Sequence, residues 1–289
     1  MRASALPGSA KAGRKLTLEL SFPQKRESSR SQQIMPGPNR IELFALDGFP
    51  LVEPGDNLVE LIAQALARQG ETLRTGDVVV LAQKIVSKSE NRYVRLADVT
   101  PSERAQELAA VVNKDPRFVE LVLRESTDVV RQAKDVLIVR HRHGYVYANA
   151  GIDQSNIQQA EARVLLLPEN PDASAQNLRH ALNAKFGVNV AVVINDSAGR
   201  PWRMGITGIA IGVAGLLALD SRIGDPDLFG KALQITEIAA ADEIAAAASF
   251  VMGQADEGTP VVVVRGARYK PSEAGSAPLI RARDKDLFR

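Results

Sequence analysis

The apolar positions along the chain change period several times, and each change marks an element. Residues 41–46 (Ile41-Glu42-Leu43-Phe44-Ala45-Leu46) read as a strand. Residues 57–68 carry Leu58, Leu61, Ile62 and Leu66 on one side, the spacing of an amphipathic helix. Gly76-Asp77 turns into Val78-Val79-Val80-Leu81, a short run with no polar alternation that predicts a buried strand. Ser102 predicts a helix N-cap, with Glu103 in the first turn and Leu108 on the buried face. Residues 118–124 are a further helical piece. The apolar runs 136–139 and 145–147 flank Gly144 and predict a hairpin.

The second half continues with a strand over 164–167, a helix over 173–186 and an apolar strand over 188–194 that ends at Asn195-Asp196-Ser197. Residues 208–219 are rich in Gly and Ala, which permits close packing of a helix or backbone. Residues 236–252 form an Ala-rich helix closed by Gly253 in the C′ position. A last strand covers 261–264, and the charged tail after Arg268 is expected to fray. Helices and strands mix without a regular βαβ rhythm. The expected class is α+β, with mixed or antiparallel sheets and packed helices rather than a doubly wound sheet. No internal repeat is visible.

Residues 1–39 differ from the rest. The stretch 23–33 is polar, charged and aperiodic, the pattern of a disordered segment. Its basic start lacks the continuous apolar core of a targeting peptide. Met35 stands just before the first orderly pattern and is the expected biological start, with a functional basic arm as the alternative. The expected organisation is an extension over 1–39, one domain over 40–268 and a tail over 269–289.

Composition narrows the chemistry. With 36 basic and 34 acidic residues in 289, the net charge of +2 gives no bulk attraction to nucleic acid or membrane, and neither is an expected partner. The absence of cysteine removes disulfides, zinc thiolates and thiol nucleophiles. His141, His143 and His180 are the only histidines, so a metal here would take oxygen ligands. No apolar run is long enough to span a membrane, and a cytoplasmic location is expected.

Several segments carry candidate chemistry. Asn149-Ala150-Gly151-Ile152-Asp153-Gln154-Ser155-Asn156 is a tight loop displaying a carboxylate, a hydroxyl and amides. It suits a hard divalent cation shared with substrate phosphates, or equally an Asx-type turn. Asn195-Asp196-Ser197 ends an apolar strand and is followed by Arg200 and Arg203, which suit a phosphate or carboxylate. A solvated turn is the alternative. Trp202 between the arginines is a core or interface anchor. Lys84 and Lys88 follow the buried strand, where a lysine meets a phosphate as a point charge or merely faces water. Ala241-Asp242-Glu243 is either a functional pair or an exposed helix face. There is no Walker A pattern, no dinucleotide fingerprint and no arguable Ser/His/Asp triad. Asp153 and Asp196 can be read as an acid/base pair, but metal binding is better motivated.

Together these motifs resemble the coenzyme F420 γ-glutamyl ligase family, over about residues 41–266. The resemblance rests on Gly48-Phe49-Pro50 with Pro54-Gly55-Asp56, on Lys84-Ile85-Val86-Ser87-Lys88 and on Asn149-Ala150-Gly151-Ile152-Asp153 with Ser155-Asn156. It continues through Leu166-Leu167-Pro168, Pro171-Asp172-Ala173-Ser174-Ala175 and the stretch from Asp196 to Arg203. Ala210-Ile211-Gly212, the Ala-Asp-Glu helix and Met252-Gly253 complete it.

The resemblance implies a cytoplasmic, GTP-dependent ligase with a γ-glutamyl ligase-like α+β fold, built as an intertwined homodimer. GTP is the implied co-substrate, Mg²⁺ or Mn²⁺ the implied metal, and K⁺ a further implied cation. Coenzyme F420-0 and L-glutamate are the implied substrates, joined through an acyl phosphate. By position, Asp153 and Asp196 would hold one metal and Ser197 would reach a second. Phe49, Pro50, Leu51, Val52, Gln83, Lys88 and Asn156 would line the nucleotide, as would Phe250, Val251, Met252, Gly253, Gln254, Ala255, Asp256 and Glu257. Asp153, Asp196 and Lys88 would be catalytic. Arg200 or Arg203 as a substrate carboxylate clamp is a reading from chemistry alone. Two departures stand out. Gln83 replaces a small hydroxyl residue, and Gln254 stands where a glutamate is common. A ligase of the same fold acting on another acceptor, or a non-catalytic nucleotide-binding relative, are the competing readings.

Overall fold

The apolar run at 78–81 has no polar face because it is buried on both sides. The computed structural model describes residues 40–155 and 162–286, and at its centre is a five-stranded mixed sheet. The strands are β1 (Glu42–Ala45), β2 (Val78–Ala82), β8 (Ala191–Arg200), β9 (Arg203–Ala214) and β12 (Val261–Arg265), in the order β1-β12-β2-β8-β9. Val79, Leu81, Val192, Ile194, Val261 and Val263 point to one face, where α1 (Leu58–Arg68) and α5 (Pro171–Phe186) cover them. Val78, Val80, Ala191, Val193, Val262 and Val264 point to the other, under α6 (Ala240–Met252). Successive strand residues therefore feed two cores, which demands apolar side chains at every position.

β2 and β8 are the one parallel pair in this sheet; all its other pairings are antiparallel. Between them the chain builds a second core. It contains α3 (Glu103–Val112), α4 (Pro116–Arg124) and the antiparallel sheet of β4 (Ser126–Ala133), β5 (Val136–His141) and β6 (Val146–Ala148). Leu108, Val112, Phe118, Val122, Leu137 and Val139 fill it. Two small ribbons complete the fold: β3 (Tyr93–Arg95) with β7 (Arg163–Leu165), and β10 (Asp220–Ser221) with β11 (Glu237–Ile238). Among the described residues no helix is long and apolar enough to cross a membrane.

The α+β class and most elements agree with the sequence pattern. Asn57 caps α1 by accepting from the Val59 and Glu60 N–H groups, and Ser102 caps α3 by accepting from Ala105 N–H. The 136–147 hairpin forms, pairing Ile138 with Ala148. The Gly/Ala-rich run is strand β9, and its glycines do permit close approach. A Cβ on Gly208 would lie 2.5 Å from the Ala245 carbonyl of α6, and one on Gly212 would overlap the Pro171 carbonyl of α5.

Four details differ. β8 does not stop at Ser197. It bulges between Ile194 and Asn195 and runs on to Arg200. Helix α6 starts at Ala240 because residues 237–238 pair as β11 instead. Residues 83–89 form a helix, α2 (Gln83–Ser89), which the strand-plus-lysines reading lacked. The tail does not fray through 286. Ser276 is buried and donates to Asp172, Lys270 pairs with Asp220, Arg179 pairs with Glu273, and Arg140 pairs with Asp286. The expected extension over residues 1–39 lies outside the described residues.

Candidate active site

Parallel strands leave a crevice beyond their carboxyl ends, where ligands settle in open α/β sheets. The β2–β8 pairing ends there, with Ala82 opposite Asn195 and β8 running on alone past β2. The chain then turns into α2 on one side and continues to Asp196 and Ser197 on the other. A cavity of about 660 Å³ opens at this point, within the usual size range for small-molecule sites. Its walls include Phe49, Pro50, Leu51 and Val52, then Gln83, Lys84 and Lys88 of α2, Asp196 and Ser197 of β8, and the loop from Met252 to Pro260.

Lys84 and Lys88 are one helical turn apart, so α2 presents both to the same space. Lys84 Nζ lies 3.4 Å from Asp153 Oδ1 and donates to Ser155 Oγ at 3.1 Å. Asp153 is not itself a wall residue; it sits behind Lys84. It arrives there through three successive left-handed residues, Asn149, Ala150 and Gly151, with φ of 53°, 56° and 70°. Such backbone persists in non-glycine residues only where the surroundings enforce it. The Asp153 backbone then pairs with Leu165 of β7.

Burial pushes the Asp153 carboxyl above the ordinary range, and Lys84 and then Lys88 pull it back. Burial also raises Asp196, and the charge of Asp153 raises it further. Burial lowers the Lys88 ammonium. Two carboxylates that raise each other's cost of ionisation, beside a lysine, form a site that favours an added cation. The donor chemistry agrees: Asp153 Oδ2 is buried without a hydrogen-bond partner, and Asp196 and the Ser197 hydroxyl add only oxygen. These residues fit a hard divalent cation. Among the described residues no three acidic or histidine side chains converge as a metal cage, so such a cation would take its remaining ligands from water or substrate oxygens.

The 253–257 loop is shaped by Glu257. Gly253 has φ of 74°, and any Cβ there would overlap the Glu257 carboxylate. Glu257 Oε2 accepts from the Ala255 N–H at 2.8 Å. Backbone N–H groups, its own first, hold the Glu257 carboxyl below its usual range. The amides thus form a concavity that the chain's own Glu257 carboxylate fills.

The sequence-predicted residues divide. Phe49 to Val52, Gln83, Lys88, Asp196, Ser197 and Met252 to Glu257 meet at one cavity, joined by Asp153 through Lys84. Phe250 and Val251 do not line it. They lie one turn back on α6, and Phe250 is 91% exposed. Arg200 and Arg203 also lie elsewhere. They close the β8–β9 hairpin around Pro201 and a left-handed Trp202, and the Arg200 guanidinium donates to the Gly205 carbonyl. Asn156 lies outside the described residues. Asp242 has a structural role, accepting from the Ala210 N–H at 2.9 Å, and Glu243 is exposed.

Gln83 is fully enclosed, with Nε2 donating to Ser87 Oγ at 2.8 Å and Oε1 left without a partner. Gln254 donates to Ser249 Oγ. Gln154 of the 149–156 loop also reaches the wall, as do Tyr93 and Glu53, which no sequence signal marked. Lys84 was legible only as half of a lysine pair.

Fold and site together define an α+β protein with an oxygen-rich, lysine-flanked cavity at the ends of two parallel strands. A sequence model of one family, F420-0:γ-glutamyl ligase, matches residues 48–266. The chain is 45% identical over 251 residues to a coenzyme F420:L-glutamate ligase of Methanothermobacter thermautotrophicus, covering 86% of this chain and 99% of the relative. It is 42% identical over 252 residues to the protein of that name from Methanocaldococcus jannaschii, covering 86% and 97%. A third, from Methanopyrus kandleri, is 45% identical over 243 residues, covering 82% and 93%. The chain belongs to the F420-0:γ-glutamyl ligase family.

Proposed function

We propose that the protein joins L-glutamate, once or more and through γ-linkage, to the lactyl-phosphate tail of coenzyme F420-0 at the expense of GTP. The observation that carries this reading is the convergence of Lys84, Lys88, Asp196 and Ser197 on one cavity. That set suits a nucleoside triphosphate and a carboxylate held in line. The acceptor carboxylate oxygen attacks the γ-phosphorus, and the bond to the β-phosphate oxygen breaks to release GDP. The glutamate amine then attacks the acyl carbon, the bond to phosphate breaks, and the amine proton is lost as the amide forms.

Lys88 orients the triphosphate and offsets its charge as a point charge. Asp153, Asp196 and Ser197 would hold Mg²⁺ or Mn²⁺, which when bound neutralises charge on the transferring phosphoryl group. The apolar wall of Phe49 and Val52 excludes water that would hydrolyse an acyl phosphate. The test is phosphate release from GTP as glutamate and acceptor are each omitted. Release that needs both, with hydroxylamine trapping of the acceptor in the absence of glutamate, supports the order given. Release independent of the acceptor contradicts it.

The protein acts as a homodimer in this proposal. Two protruding segments carry bare apolar side chains: Trp202 and Met204 on the β8–β9 hairpin, 88% and 95% exposed, and Leu228 and Phe229 between β10 and β11, both 96% exposed. Large exposed apolar side chains in such numbers mark contact surfaces.

A further inference from the structure

The second core contributes one more group to this site. In β6, Val146 and Ala148 face out and Tyr147 faces in, so strand alternation drives its ring under the main sheet. Tyr147 is 5% exposed and packs beside Tyr145 with ring centroids 5.8 Å apart. Its hydroxyl is sealed from solvent and finds no hydrogen-bond partner of ordinary geometry. β6 packs against β8, so the charged group this hydroxyl faces is the Asp196 carboxylate of that strand. A buried hydroxyl without an acceptor destabilises a fold, and phenylalanine would fill the same space without that penalty. The hydroxyl therefore needs a reason to be there.

The two aspartates have different neighbours. Asp153 has Lys84 as its ion pair. Asp196 has the Ser197 N–H on Oδ1 and the Tyr147 phenol facing it. We propose that Tyr147 is the positioning residue for Asp196: its hydroxyl donates to the Asp196 carboxylate and fixes which oxygen that carboxylate turns to a bound cation. This rests on the reading of Asp196 as a cation ligand. Partners of this kind orient ligating carboxylates and hold them against rotation.

The test uses the full chain and Mn²⁺ alone, read by the electron paramagnetic resonance signal of free Mn²⁺, with wild type, Y147F and D196A. Steady-state kcat and KM for glutamate are measured beside it. Y147F is expected to weaken Mn²⁺ binding by about tenfold, the usual loss on removing an outer-shell donor. It should lower kcat with little change in KM for glutamate and melt no lower than wild type. A purely structural hydroxyl predicts wild-type Mn²⁺ affinity and kcat for Y147F. That result, with binding lost in D196A, overturns the role of Tyr147 and leaves the cation reading standing. Wild-type Mn²⁺ affinity in D196A overturns both.

Discussion

Lys84 and Asp153, 69 positions apart in sequence, form an ion pair of 3.4 Å that joins α2 to the loop after β6. The lysine and an added cation compete for one carboxylate. Lys84→Met should therefore let Mn²⁺ bind the nucleotide-free protein about tenfold more tightly, because a like charge within a few ångströms shifts a charge equilibrium by about one pK unit or more. Titration calorimetry reads this directly. Weaker Mn²⁺ binding in the variant would show that the lysine supports the site rather than competing for it.

Asp196 gives a pH signature. Its folded-state pKa is raised by burial and by Asp153, so the folded protein holds a proton that the unfolded chain releases near pH 4. The protonated form is favoured by folding. Its contribution is fully present below pH of about 4 and is lost as pH rises through the raised folded value. Asp196→Asn mimics the protonated form. In chelator, its melting temperature should exceed that of wild type by a margin that grows as pH rises from 4 to 8. A margin independent of pH would contradict the raised pKa.

Glu125 behaves in the opposite sense. Its carboxylate meets Arg142, His141 and Arg92 at 3.2, 3.4 and 3.7 Å. Burial alone would raise it, but His141, Arg142 and Arg92 win and hold its pKa at about 2. The stability it contributes is present above the ordinary value and lost as pH falls through about 2. Glu125→Gln should lower unfolding free energy at neutral pH by about 3 kcal/mol, because it leaves Arg92 and Arg142 with only the more exposed Glu169 as an ionic partner. Urea denaturation at pH 7 checks this. Unchanged stability would mean that Arg92 and Arg142 are satisfied by Glu169 alone.

Much of the framework was legible in the sequence because it follows from local rules. Asn57 and Ser102 cap helices, and Val78 to Leu81 has to be buried on both faces. Candidate positions near the end of the β2–β8 pairing, Asp196 and Lys88 among them, come together at one cavity. Tyr93 was not legible in the sequence, because it reaches the cavity from a ribbon whose placement depends on long-range pairing, and Tyr147 was not, because β6 meets β8 only in the folded chain. Arg200 and Arg203 are near Asp196 in sequence but pair at the far end of the β8–β9 hairpin, away from the cavity wall. β8 continues straight past Asp196, and each residue of an extended strand carries the chain about 3.3 Å further away.

The exposed hairpin makes a prediction about assembly. Trp202→Glu combined with Met204→Glu should halve the mass measured by sedimentation equilibrium if the protein pairs through this hairpin. An unchanged dimer would move the contact to the Leu228 and Phe229 segment, and a monomeric wild type would contradict the dimer altogether.

The most direct measurement is a mass spectrum of coenzyme F420-0 incubated with the purified protein, GTP, Mg²⁺ and L-glutamate. The proposed function predicts mass gains of one or more glutamate units that require all three additions and vanish in Asp196→Ala. No gain in the wild type, or a full gain without GTP, would contradict it.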